Sequence, residues 1–301
     1  MYKLQFSIKS LAAVFMMSAA VVVTSCSKDK DKEEPADPTA PTVAVSSVAL
    51  GKTSLTLVVG GDYTLTATVL PENATDKTIA WESSDNSKAT VANGKVIAVA
   101  AGEATITATA GDKTATCKLS INDPLTDAGV TINGVKWATR NIDEPGKFAV
   151  SAESAGKFYQ WNRKKAWAAT GSVSNWDDTD AAGDSWETEN DPSPEGWRVP
   201  TREELESLFD AAKVSNEWTT QNGPNGRLFT DKATNATLFL PAAGYRYGSD
   251  GTLLFAGADG YYWSSTADGT TSAYRLYFRS GYVNVLNNDR RHGFSVRSVA
   301  E

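Results

Sequence analysis

Few residues of this chain are suited to covalent or metal chemistry. Its 301 residues hold one histidine, His292, and two cysteines, Cys26 and Cys117. A single imidazole rules out a site built from several histidines, and it argues against a histidine-based triad. Asp177, Asp178, Asp180 and Asp184 cluster, which reads as a solvated acidic loop or at most a Ca²⁺ site. A glycosidase-type carboxylate pair stays open on sequence alone. The expectation is a non-enzyme with no catalytic residue, no cofactor and no resident metal. The alternative is a secreted enzyme or accessory module acting on polysaccharide.

Recognition chemistry is better represented. In residues 272–299, Ala273, Tyr274, Leu276, Phe278, Gly281, Val283, Gly293, Phe294 and Val296 suit strands and turns. Between them stand Arg275, Tyr277, Arg279, Tyr282 and Asn284. Period two puts Arg275, Tyr277 and Arg279 on one strand face, opposite Tyr274, Leu276 and Phe278. Leu286, Asn287, Asn288, Asp289, Arg290, Arg291 and His292 then read as a loop. Tyrosine and arginine are residues that binding hot spots favour. The expected ligand-binding set is Arg275, Tyr277, Arg279, Tyr282, Asn284, Leu286, Asn287, Asn288, Asp289, Arg291 and His292. Six of these, Arg275, Tyr277, Arg279, Tyr282, Arg291 and His292, would form a basic, aromatic patch. Such a patch suits an external acidic protein or anionic glycan. The plainer reading is a solvated strand face followed by a polar loop.

The rest of the chain must carry and position this segment. Lys3 and Lys9 form a positive region ahead of a short apolar run, residues 11–23. A membrane-crossing helix needs about 20 apolar residues, so the run reads as the core of a targeting signal. Val23-Thr24-Ser25-Cys26 resembles the lipobox of bacterial lipoproteins. That resemblance implies a signal peptide over residues 1–25 and acyl chains on Cys26. The charged run 28–34 and Pro35, Pro38 and Pro41 cannot bury a core, so residues 26–45 read as a tether. An acidic, charged segment after the lipid cysteine also resembles the surface-export signal of Bacteroidetes lipoproteins. The implied location is the outer membrane, on the cell surface, with the lipid as membrane partner. If Cys26 is acylated, Cys117 has no disulfide partner, and it reads as a buried small apolar group. A net charge of −7 argues against nucleic acid as a partner.

Residues 46–122 alternate in short runs separated by Gly, Asn, Asp or Pro, the pattern of an all-β sandwich, with Trp81 as candidate central core residue. Leu70-Pro71-Glu72-Asn73-Ala74-Thr75, Trp81-Glu82-Ser83-Ser84-Asp85 and the run from Gly94 to Gly102 resemble the bacterial Ig-like group 2 domain. The resemblance implies a spacer.

Residues 129–301 form a second domain. Asn133-Gly134 reads as a tight turn between short strands. Thr201-Arg202-Glu203-Glu204 is a capping box opening a helix, and residues 151–156 read as a second, weaker one. Asn133 to Asn141, Phe158-Tyr159-Gln160-Trp161, Pro194 to Thr201, Leu240 to Arg246, Tyr262 to Thr266 and Gly293 to Arg297 resemble the Fibrobacter succinogenes major paralogous domain. That resemblance implies an α+β, C-type lectin-like fold. The family often has cysteines where this chain has Ser193 and Ser298, so that staple is absent here. The same fold class hosts the formylglycine-generating enzyme, whose cysteine pair this domain lacks. Trp137, Trp161, Trp197 and Trp263 read as core; Trp167, Trp176 and Trp186 are better ligand candidates.

The C-terminal stretch also resembles the variable region of proteins diversified by a retroelement. Randomised adenines in Asn codons never yield Lys, Gln, Glu, Met or Trp, and none of these occurs in residues 264–300.

Overall fold

The computed structural model describes residues 41–301. The targeting segment, Cys26 and most of the tether lie outside the described residues.

The first half contains β1 (Ser47–Leu50), β2 (Ser54–Val58), β3 (Asp62–Thr64), β4 (Ala67–Leu70), β5 (Ala80–Ser83), β6 (Ala89–Ala92), β7 (Lys95–Ala98), β8 (Gly102–Ala110) and β9 (Lys113–Asn122). They form sheets ordered β1-β4, β2-β9-β8-β5 and β3-β7-β6, with β2 parallel to β9. The core is Leu65, Ala89, Val96, Ala98, Ala104, Ile106, Cys117, Leu119 and Ile121. Cys117 is fully buried, and burial raises its thiol pKa, which suits an inert apolar group. Trp81 is half-buried and packs on this core from its side, so it is not the central residue expected. The run Tyr63–Leu70 divides into β3 and β4 because the chain changes partner, from β7 to β1.

The second half contains β10 (Val130–Ile132), β11 (Val135–Trp137), β12 (Lys157–Gln160), β13 (Ala166–Ala168), β14 (Trp197–Arg198), α1 (Arg202–Ser207), β15 (Val214–Thr220), β16 (Asn225–Asp231) and β17 (Thr237–Pro241). It continues with β18 (Tyr245–Arg246), β19 (Leu253–Leu254), β20 (Asp259–Asp268), β21 (Ser272–Arg279), β22 (Tyr282–Asp289), β23 (Gly293–Phe294) and β24 (Val299–Ala300). The expected α+β domain is corrected to an almost all-β one. Its α-helical content is α1, six residues long, beside a single 3₁₀ turn at Thr188–Asn190. Residues 151–156 form turns, closed by Ser154 N donating to Ser151 O, and Gly156 at φ 67 stops any helix. The α1 capping box is present: Glu204 N donates to Thr201 Oγ1, and Thr201 N donates to Glu204 Oε2. Asn133 and Gly134 both have positive φ, as a tight hairpin turn requires.

The sheets are β10-β11-β24-β14, β13-β12-β23-β18-β19, β15-β16-β17 and β20-β21-β22. The β20–β22 sheet has a core on each face. Leu276, Phe278 and Val285 join Trp137, Leu205, Phe229 and Leu240 on one side. On the other side Ala273 and Tyr277 lie with Tyr261 and Trp263 of the same sheet and pack in the cluster that holds Phe294. The predicted alternation along β21 is therefore observed, although neither face is simply solvated.

Buried guanidinium groups hold the loops. Arg246 donates to the carbonyls of Ala168, Thr170 and Gly251, and Arg290 to those of Ala181, Gly183, Gly269 and Ser272. Where strands are short, such fans satisfy carbonyls that no ladder reaches. The connection between the two halves is clamped the same way. Asp127 accepts from Thr139 N and Oγ1 and pairs with Arg140 at 3.1 Å, and Arg140 also donates to the carbonyls of Asp123 and Ala149.

Candidate ligand-binding face

The residue pattern over 272–292 predicts two strands and a loop. The segment is a β-hairpin closed by Ser280–Gly281, and β22 runs on through Leu286, Asn287 and Asn288 to Asp289. The loop reading is corrected because all eight residues of β22 find partners on β21. Polar side chains hid a continuous ladder.

Register arranges the expected site residues in rows. Asp259 on β20 aligns with Arg279 on β21 and Tyr282 on β22. Tyr261, Tyr277 and Asn284 form the next row, and Trp263, Arg275 and Leu286 the one after. Asn288 lies opposite Ala273, on the same face. Asn287 and Asp289 lie opposite Tyr274 and Ser272, on the other face. Asn287 donates there to Asp268. Asp289 accepts from Arg291 Nε at 2.9 Å, which holds its carboxyl pKa down. Arg291 also approaches Asp180 at 3.7 Å, so its charge is largely met within the fold.

The rows carry a connected set of rings. Tyr261 lies 5.1 Å from Tyr277, 4.6 Å from Tyr245 and 5.2 Å from Phe294. Tyr282 lies 5.7 Å from Tyr277, and Tyr247 lies 5.3 Å from His292. Phe255 stacks on Tyr245 at 6.1 Å. The Tyr261 and Tyr277 hydroxyls both donate to Asp259 Oδ2, at 3.1 and 3.2 Å. Burial, with Asp259 beside them, raises both phenol pKa values. Arg275 is buried against Tyr261, Tyr277 and Phe294, and burial lowers its pKa. His292 is half-buried, and burial lowers its pKa despite Asp289. From beneath, Arg227 donates to the carbonyls of Arg279 and Tyr282 and fixes the hairpin turn.

Exposure singles this surface out. Among the described residues of the second half, the exposed large apolar side chains are Tyr247, Phe255, Tyr282 and Leu286. All four belong to this face or to the rings continuous with it. Clustered exposed apolar groups mark interaction sites more often than scattered ones do.

The other candidates fare differently. Trp167 and Trp186 are buried and Trp176 is half-buried. Trp167 packs on Trp176 at 4.6 Å, and Trp176 Nε1 donates to Gly248 O. Trp186 Nε1 donates to Asn190 O. These tryptophans therefore brace the insertion, which corrects their ranking as ligand contacts. Trp137, Trp161 and Trp263 are fully buried, as expected. Asp177 pairs with Arg163, and among the described residues no group of three His, Cys, Asp or Glu side chains is placed to hold a metal ion.

Comparison with known proteins agrees with this two-part architecture. Residues 44–119 match the bacterial Ig-like domain (group 2), and residues 157–300 match the Lcl C-terminal domain. The chain joins these two modules. An alpha-L-arabinofuranosidase of Bifidobacterium longum subsp. longum is 50% identical over 76 residues, 25% of this chain and 7% of that protein. An Ig-like virion protein of Serratia phage KSP90 is 41% identical over 88 residues, 28% of this chain and 34% of that protein. The chain thus spans only a minor part of these relatives. A solved S-layer protein, rSbsC, is 13% identical with a TM-score of 0.27 over 82% of this chain and 26% of its own, a likeness that carries no argument.

The candidate face lies within the residues that match the Lcl C-terminal domain. Tyr245, Tyr247, Phe255, Asp259, Tyr261 and Phe294 complete it and were missed in the sequence. The Tyr245-Arg246-Tyr247 triplet is the one local hint. Tyr261 joins Tyr277 only through the β20–β21 register, which no short-range pattern reveals.

Proposed function

We propose that this chain is a surface-displayed binding protein whose Lcl C-terminal domain captures an external protein or glycan through the β20–β22 face. The observation that carries the reading is the convergence of Tyr247, Phe255, Tyr282 and Leu286, the exposed large apolar groups of that half, on one ring-lined surface. The Ig-like domain serves as spacer, and acyl chains at Cys26 attach the protein to the outer membrane. The resemblance of residues 129–301 to lectin-like modules supports recognition rather than catalysis, and both matched modules are non-catalytic types.

Diversification by a retroelement belongs to the same reading. Tyr277, Arg279, Tyr282, Asn284 and Leu286 share one face, where variation changes the contact surface and leaves the opposite core untouched. An adenine-rich template copy of this segment beside a reverse transcriptase gene supports it; a genome lacking both contradicts it. Screening the full chain on glycan and protein arrays tests capture. Reproducible binding that survives high salt and depends on this face supports the proposal. Saccharide turnover by the purified chain contradicts it.

A further inference from the structure

The buried arginines of the described residues are Arg140, Arg227, Arg246, Arg275, Arg290 and Arg297. Five of them donate into the fold. Arg140, Arg246 and Arg290 reach loop carbonyls, Arg227 also meets Asn216, and Arg297 meets Asn141 and Ala138 O. Arg275 differs. It is 7% exposed, and its Nε and Nη1 are buried with no hydrogen-bond partner. It also forms no ion pair among the described residues. Its charge meets only ring faces, with Tyr261 at 4.9 Å, Tyr277 at 5.0 Å and Phe294 at 5.7 Å. Ring quadrupoles are weak compensation for a desolvated guanidinium.

A second orphan lies beside it. His292 Nδ1 is buried and unpartnered, and the imidazole stacks on the same Phe294 ring at 5.8 Å. Two unsatisfied polar groups on one aromatic wall, under the exposed rings of the face, are unusual unless something completes them. Asp259 does not fill this role, because its Oδ2 accepts from the Tyr261 and Tyr277 phenols.

We propose that Arg275 is the anion-binding centre of this face and that its ligand is a sugar acid, one carboxylate on an otherwise uncharged ring. The inference rests on the reading of the face as a binding surface. One unpaired buried cation matches one carboxylate, whose oxygens accept from guanidinium N–H groups. Arg291 adds little, being paired with Asp289 and Asp180, and a net charge of −7 disfavours a polyanionic chain. Tyr247, Phe255 and Tyr282 offer ring faces on which a sugar ring stacks, and Asn284 and the phenols offer hydrogen bonds to its hydroxyls.

The test titrates the full chain with glucuronate and with glucose, by calorimetry, in wild type, Arg275→Met and Arg275→Lys. Wild type is expected to bind glucuronate at least about tenfold more tightly than glucose. Arg275→Met should erase that preference, and Arg275→Lys should keep part of it. No preference in wild type overturns the proposal, as does an unchanged preference in a folded Arg275→Met. Acetate binding as tightly as glucuronate overturns the sugar-acid assignment. A readout in wild type covers a variant that fails to fold: the ¹⁵N-labelled Arg275 Nε–H resonance should shift with glucuronate and not with glucose. An unmoved resonance overturns the proposal. An array ligand lost in Tyr282→Ala but kept in a folded Arg275→Met would leave the binding face standing and remove Arg275 as its centre.

Discussion

Ser193 Oγ lies 2.7 Å from Ser298 Oγ, joining the loop before β14 to the C-terminal segment across 105 positions of sequence. The family that this half resembles often carries cysteines at these two places. Here a hydroxyl pair keeps the contact without the covalent bond. Replacing both by cysteine should give a disulfide under oxidising conditions. Closing a loop of this size is worth about 4–5 kcal/mol in the chain-entropy account. The check is electrophoretic mobility and melting temperature with and without reductant. Two free thiols, or a melting temperature indifferent to reductant, would contradict the geometry.

Arg290 sits inside the segment that reads as variable, yet it is 1% exposed and donates to four carbonyls while lying over Trp161 at 4.1 Å. Arg290→Met strands those carbonyls and should cost on the order of 3 kcal/mol in urea unfolding. If the segment is diversified, sequenced variants should differ at positions 277, 279, 282, 284 and 286 and keep arginine at 290. A freely varying position 290 would contradict this division.

His292 is the chain's single histidine, so its titration is isolated. Burial lowers its folded pKa below the ordinary value of 6.5, to which it returns on unfolding. Its contribution to stability is therefore complete above that value and is lost as pH falls through the folded pKa. Between about pH 7.5 and 5.5, wild type should lose more stability than His292→Gln. The His292 ring-proton NMR signal should titrate below 6.5. Parallel pH profiles for the two proteins would contradict the burial account.

Legibility in the sequence followed the range of the interactions. The α1 capping box and the Asn133-Gly134 turn depend on neighbours within a few residues, and each is found where its pattern lies. The alternation of β21 was equally plain, and it separated Arg275 and Tyr277 from Leu276 and Phe278. Long-range pairing was hidden. Residues 286–289 look like a polar loop and become a strand because β21 supplies partners. The apolar C-terminal run does not form one strand, because its carbonyls serve different elements: Ser295 O accepts from Trp263 N, Val296 O from Ile142 N, and Ser298 O from Ala138 N. Burial was the other blind spot. Arg275 was expected on an open face, and it lies beneath the rings. An alanine there would remove packing as well as charge, so exposed positions test the face more cleanly.

Tyr282 and Leu286 are such positions, 38% and 36% exposed on the same face of β22, with the Asn284 row between them. The most direct measurement is binding of the full chain and its Tyr282→Ala/Leu286→Ala variant to the same glycan and protein arrays, with melting temperatures recorded alongside. The account predicts a ligand bound by wild type and weakened at least about tenfold in the variant, with the melting temperature little changed. Equal binding by a folded variant would contradict the assignment of this face.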